Sequence, residues 1–195
     1  MITSIFLTGP SCSGKTTLAK HLINKYPTIF KLNISYTTRN ARENELHGRE
    51  YYFISKNDFE IKIQEGFFAE YVQFSGNYYG VAKTALETNQ IEEDNQKKDK
   101  ITLFTIETQG IKYFNEERKN KLFIVIKITK ETLIQRLKHR TIYSQNEFQR
   151  RLETVDIYKN FEEQFSFDEE LNTETTIDET EKELDLKLKK YKIIE

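Results

Sequence analysis

The chain has almost no means of cross-linking itself: its 195 residues include one cysteine, Cys12, so no disulfide can form within it. A lone thiol suits a reducing compartment. Charge of one sign is also missing. Thirty lysines and arginines stand against thirty-one aspartates and glutamates, a formal net charge of −1, so no general affinity for nucleic acid or a membrane is implied. No apolar run is long enough to span a bilayer and no basic-then-apolar leader is present, so a soluble cytoplasmic protein is expected. The three histidines, His21, His47 and His139, share no metal-ligand spacing and are expected on solvated or helix surfaces. No internal repeat is found.

What the chain does have is the stretch "GPSCSGKTT", Gly9 to Thr17, set between the apolar run "ITSIFLT" and "LAKHLINKY". Gly9, Gly14, Lys15 and Thr16 satisfy G-x-x-x-x-G-K-[ST], a strand–loop–helix unit whose backbone N–H groups cradle phosphate oxygens. The helix that follows directs its positive dipole end at the same anion. In this pattern the lysine reaches the β and γ phosphates and the Thr16 hydroxyl ligates a Mg²⁺ bridging them. At average residue usage such a coincidence arises in roughly one chain of this length in a hundred or fewer. The flanks narrow it further, because Leu18 and Leu22 recur at helical spacing and Pro27 closes the helix.

Strand-like and helix-like runs alternate along the chain, which predicts an α/β architecture around a parallel sheet. "ITLFTI" (residues 101–106) and "LFIVIKI" (122–128) are nearly continuous in apolar and branched residues, as strands buried on both faces are. Residues 33–82 differ in character. They are rich in tyrosine, phenylalanine and arginine with short strand patterns, and read as an inserted α+β lobe. "EEDNQKKDK" (92–100) has no apolar residue and reads as a solvated connection. Helical patterns follow in "TLIQRLKHR", "NEFQRRLETVDIYKNF" and the C-terminal "ETEKELDLKLKKYKII".

With "NISYTTRNARENELHGREYYF" and "FAEYVQFSGNYYG" added to the phosphate loop, the chain resembles the guanylate kinase family, most strongly from Gly9 to Gly80. The resemblance implies ATP-dependent phosphoryl transfer to GMP or dGMP with Mg²⁺, in one domain over 1–195. Its parts would be a P-loop sheet core (1–32, 96–135 and 152–195), a monophosphate-binding lobe (33–95) and a helical lid (136–151). The ATP side would comprise Gly9, Ser11, Cys12, Ser13, Gly14, Lys15, Thr16 and Thr17 with Asn172, and Thr16 would be the metal ligand. Arg39, Arg42, Tyr51 and Tyr79 match the positions that hold the monophosphate, for which the planar fork of arginine is suited. Glu70 matches the carboxylate that accepts from guanine N1–H and N2, and Ser35 the hydroxyl that donates to O6. Lys15 and the lid arginines Arg136, Arg140 and Arg151 would neutralise charge on the transferring group. Partners would be the small-molecule substrates alone, on a monomer or weak homodimer.

The chain departs from the family pattern at four places. Cys12 stands where glycine is common, among N–H groups that favour a reactive thiolate. Val81 replaces a hydroxyl residue that could donate to guanine O6. In "TIETQG" the strand-end carboxylates become Thr105 and Glu107, and Glu107, which the resemblance assigns to the guanine, could serve either neighbour. The adenine-side pair becomes Asn172 and Thr173. The alternative reading is a non-catalytic module of the same fold that binds a phosphorylated partner, favoured by Thr105 and opposed by the presence of Lys15, Thr16 and all three lid arginines.

Overall fold

Two of the apolar runs read as buried strands lie beside the strand that enters the phosphate loop. In the computed structural model, which describes residues 1–74, 76–87, 100–115, 119–140 and 144–195, the elements in chain order are β1 (Ser4–Thr8), α1 (Lys15–Lys25), β2 (Phe30–Leu32), β3 (Tyr36–Thr37), β4 (Tyr52–Phe53), α2 (Lys56–Gln64), β5 (Phe68–Phe74), β6 (Asn77–Ala82), α3 (Thr84–Glu87), β7 (Ile101–Thr105), α4 (Thr108–Asn115), β8 (Lys121–Lys127), α5 (Lys130–Arg140), α6 (Gln145–Glu162), β9 (Glu169–Asn172) and α7 (Ile177–Lys190). They fall into two units, Met1–Leu32 with Lys100–Glu195, and Asn33–Asp99. Most of the solvated connection expected at 92–100 lies outside the described residues.

The first unit is built on a parallel sheet of order β2-β7-β1-β8-β9. Register explains its core. Phe6 pairs with Phe104 on one side and Phe123 on the other, so three rings share one face and stack at centroid distances of 4.7 and 5.0 Å. Phe114 of α4 covers them. Alternation sends Ile5, Leu7, Leu103, Ile124 and Ile126 to the opposite face, where they pack with Leu18 and Leu22 of α1 and Leu184 and Leu188 of α7. A parallel sheet covered on both faces needs such apolar strands. Two of the helices begin at side-chain caps: Ser144 accepts from Glu147 N to start α6, and Thr176 and Glu179 form a capping box on α7.

The second unit is a mixed sheet of order β4-β3-β6-β5, with α2 the longest of its helices among the described residues. Phe59 of α2 stacks on Phe68 and Tyr78 at 4.3 and 5.1 Å. Gly80 allows this packing, because a Cβ there would come within 2.8 Å of the Phe68 ring and 2.9 Å of Phe59. Among the described residues no helix is long and apolar enough to cross a membrane.

His21, expected on a helix surface, is instead held between α1 and α7, with Nδ1 3.0 Å from Glu181 and Nε2 3.1 Å from Asp185. The other Asp185 oxygen accepts from Lys25 Nζ at 2.5 Å. Burial works to raise the Asp185 pKa, but the bonds from Lys25 and His21 outweigh it and hold the carboxyl below its ordinary value. A carboxyl lowered in this way adds stability above its unfolded pKa and loses it as pH falls toward the folded one. Asp185→Asn is therefore expected to lower unfolding free energy by about 1–3 kcal/mol at neutral pH, with the gap narrowing below about pH 4. Urea unfolding at pH 7 and near pH 3 measures both; a gap that does not change between them contradicts the pairing.

Candidate active site

The loop after β1 is tight. A Cβ on Gly9 would lie 2.5 Å from the Ile126 carbonyl oxygen and 2.8 Å from Ser13 Oγ, so only glycine lets the chain pass β8 here. Gly14, which caps α1, has φ 108°. Between them Cys12 takes φ 60°, a left-handed conformation that costs a side-chain-bearing residue roughly 1–2 kcal/mol. Two contacts offset that cost. The Cys12 carbonyl accepts from Arg136 Nη1 at 3.3 Å, and its side chain packs on the cluster of Ile128, Leu133 and Leu137 that also takes Phe148, Leu152 and Val155. The thiol expected among inward-facing N–H groups is thus turned toward hydrocarbon of α5 and α6.

Lys15 folds back over the loop. Its Nζ donates to the carbonyls of Gly9 at 2.5 Å and Pro10 at 3.1 Å, and lies 3.5 Å from Glu107 Oε1. Arg151, nearly buried on α6, donates to Ser11 Oγ at 2.8 Å and to Glu147 at 2.7 Å. Arg136 on α5 bonds the carbonyls of Cys12 and Ser13 and both oxygens of Thr173. The Arg140 side chain lies outside what the structure describes. Thr16 and Thr17 are exposed on the first turn of α1, where an anion and its cation meet a helix N-terminus. Ser13 Oγ is buried with no hydrogen-bond partner among the described residues, which fits a cradle for phosphate oxygens. Asn172 ends β9, with its side-chain oxygen accepting from Glu174 N at 2.8 Å.

Tyr158 is a residue the sequence reading passed over. It is 3% exposed, donates to Glu107 Oε2 at 2.9 Å and lies 3.0 Å from Thr8 Oγ1 at the end of β1. Burial, and then the Glu107 charge, push the phenol well above its ordinary pKa, so it remains a donor at any working pH. The available signal was spacing: Tyr158 follows Arg151 by seven residues, two helical turns, and shares its face.

The second unit gathers the other candidates. Arg39 meets Glu45 through two parallel bonds, 2.8 and 3.1 Å, and Arg42 donates to the same carboxylate from Nη1 and from its backbone N–H. Burial acts to raise the Glu45 pKa, but these donors outweigh it and lower it. The Arg39 guanidinium lies 5.5 Å from the Tyr51 ring, which meets Tyr79 edge-on at 6.1 Å. Glu45 was also passed over, although an acid three residues after one arginine and six after another was visible. On the sheet, Glu70 pairs with Val81 just past a β-bulge. Tyr36 pairs with Gly80, which carries Ser35 to the level of Val81 from the other side. Ser35, Val81 and Glu70 thus form one row, all nine-tenths or more buried, and Asn33 donates to Ser35 Oγ at 3.0 Å, leaving the hydroxyl proton to point elsewhere.

The sequence model of the guanylate kinase family matches residues 1–191. The chain belongs to that family. It is 37% identical over 183 residues to the guanylate kinase of Prochlorococcus marinus subsp. pastoris, covering 92% of this chain and 93% of that one. It is 32% identical over 149 residues to the human guanylate kinase, 76% and 73% of the two chains. Among solved structures, the guanylate kinase from Anaplasma phagocytophilum superposes with TM-score 0.70 at 25% identity over 97% of this chain and 86% of that one. As a guanylate kinase relative, the chain keeps the P-loop geometry while carrying Cys12 in a glycine-like conformation.

The Gly9 contact gives a direct test. Gly9→Ala must displace the β8 backbone at Ile126, so a loss of about 1–3 kcal/mol is expected, together with loss of nucleotide binding. Thermal unfolding and titration with ATP check these, and an alanine variant of unchanged melting temperature would contradict the close approach.

Proposed function

We propose that the chain transfers the γ-phosphoryl group of ATP to GMP or dGMP, giving ADP and the diphosphate. The observation that carries this reading is the row Ser35–Val81–Glu70 on the face that, one row away, carries Tyr79 beside Arg39 and Tyr51. Rows two residues apart are separated by about 7 Å, so one face offers a base-reading edge and a phosphate-binding edge. Glu70 is only 9% exposed, and a carboxylate there accepts from N1–H and the N2 amine of guanine together. Adenine would present an unprotonated N1 to it, and a buried carboxylate left unmatched costs on the order of 1–3 kcal/mol or more. Ser35, with its oxygen already accepting from Asn33, donates to O6.

On the donor side, the loop amides and Lys15 hold the triphosphate. The acceptor oxygen of a monophosphate is already anionic, so no general base is needed and the chemistry reduces to positioning and charge neutralisation. Arg151 supplies charge at Ser11, Arg136 braces the loop from its carbonyl side, and Arg140 follows one turn along α5. Mg²⁺ is an ion bound through few protein oxygens plus substrate phosphates. When bound it would neutralise donor phosphate charge, with Thr16 as its protein hydroxyl. The lone thiol supports a cytoplasmic setting.

Two measurements test this reading. ADP release from Mg-ATP is expected with GMP and dGMP well ahead of AMP, UMP and CMP. Equal turnover of AMP overturns the base assignment, and binding of GMP with no turnover of any monophosphate favours the non-catalytic module. Val81→Ser sets a hydroxyl between Ser35 and Glu70. It is expected to lower the GMP KM several-fold, for about 0.5–1.5 kcal/mol, and leave the ATP KM unchanged. Because Val81 is 1% exposed, it should also lower stability by about 1–2 kcal/mol.

A further inference from the structure

Thr105 leaves the end of β7 without a carboxylate, and the nearest acid in the chain, Glu107, turns toward the phosphate loop. Oε1 lies 3.5 Å from Lys15 Nζ while Oε2 accepts from Tyr158 at 2.9 Å. A glutamate just past a strand end has several free rotors and makes an imprecise ligand by itself. Tyr158 removes that freedom. Its phenol comes from α6, the helix that also carries Arg151, and its oxygen lies 3.0 Å from Thr8 Oγ1, which donates to the Ile106 carbonyl at 2.9 Å. The Thr8 hydroxyl therefore ties the end of β1, where the phosphate loop begins, to the residue before Glu107, and the phenol that donates to Glu107 rests against that same hydroxyl.

We propose that Tyr158 is a positioning residue that aims the Glu107 carboxylate into the phosphate cradle, so that Glu107 faces the divalent cation of the donor nucleotide instead of the guanine of the acceptor. The inference rests on the ATP-dependent reading above and deepens it. A carboxylate within reach of a triphosphate repels it unless a cation stands between them. Lys15 fills that place in the structure, but its charge is shared once it turns to the phosphates. Mg²⁺ is usually held by one or two carboxylates together with waters and phosphate oxygens, so Glu107 and the Thr16 hydroxyl make a sufficient protein set. A carboxylate reading guanine has no reason to be held 3.5 Å from the P-loop lysine.

Mn²⁺, as a paramagnetic stand-in, tests this by electron paramagnetic resonance of the free ion during titration into full-length protein saturated with a non-hydrolysable ATP analogue. No acceptor is present. Glu107→Gln and Tyr158→Phe are each expected to raise the apparent Mn²⁺ Kd about tenfold, in line with the usual effect of losing a ligand's supporting bond. Combining them should add little to Glu107→Gln alone. Calorimetric GMP affinity should stay at the parent value in both. Unchanged Mn²⁺ affinity in Glu107→Gln overturns the proposal whatever the fate of Tyr158→Phe, as does weakened GMP binding with Mn²⁺ binding intact. A Tyr158→Phe protein that loses only melting temperature overturns the positioning role. Failure of the parent to phosphorylate GMP would count against the proposed reaction, while the acceptor-free Mn²⁺ titration would still decide this inference.

Discussion

The constraint on which the first unit depends is the outward set of carbonyls on its phosphate loop. A chain that curls to present N–H groups to an anion must turn carbonyls the other way, and buried carbonyls need donors. Here those donors are cations. Lys15 bonds the carbonyls of Gly9 and Pro10, and Arg136 those of Cys12 and Ser13. Each cation therefore supports the fold of the loop, and the loop's shape is tied to the helix that carries Arg136.

That tie extends beyond the loop. Arg136 also bonds Thr173, and the neighbouring Glu174 accepts from Thr129 N at 2.7 Å and from the Thr132 hydroxyl at 2.5 Å, at the first turn of α5. A carboxylate at a helix N-terminus is favoured by the dipole. The short turn between β9 and α7 thus grips α5 at its start and, through Arg136, partway along its length. Where the family pattern has an acid after the asparagine, this chain has Thr173 and then an acid one residue later. The acid at 174 caps the helix, and the hydroxyl at 173 bonds the arginine.

Much of this was legible in the sequence. Gly9, Gly14, Lys15 and Thr16 gave the loop, because sterics and phosphate chemistry restrict those positions to very few residue types. The parallel strands were legible because a sheet covered on both faces tolerates little besides apolar residues. Tyr158 and Glu107 are not paired by inspection, since their bond joins positions 51 residues apart and only the seven-residue spacing from Arg151 sets this tyrosine apart from the ten others in the chain. The direction of Glu107 was open for a related reason: strand alternation fixes a face, but the residue lies past the end of β7, where alternation no longer applies. Cys12 was recognisable as an unusual residue for its place, yet whether its side chain met amides or hydrocarbon depended on α5 and α6 packing behind it.

If the second unit holds a monophosphate as proposed, Glu45 lowers the cost of binding a compact dianion. Arginine side chains carry about 2 kcal/mol of rotamer entropy each, and ordering two of them on binding would draw on the affinity gained from phosphate contacts. Glu45 imposes that order during folding. It takes two parallel bonds from Arg39 and both a side-chain and a backbone bond from Arg42, and it is itself only about one-sixth exposed. A single carboxylate neutralises one of the two guanidinium charges, so the pair keeps a net positive charge with its geometry already set. A phosphate dianion can answer that remaining charge, and it brings more acceptor oxygens than Glu45 engages. The carboxylate thus acts as a template for the arginine pair, holding it in a form that favours a group more highly charged than itself.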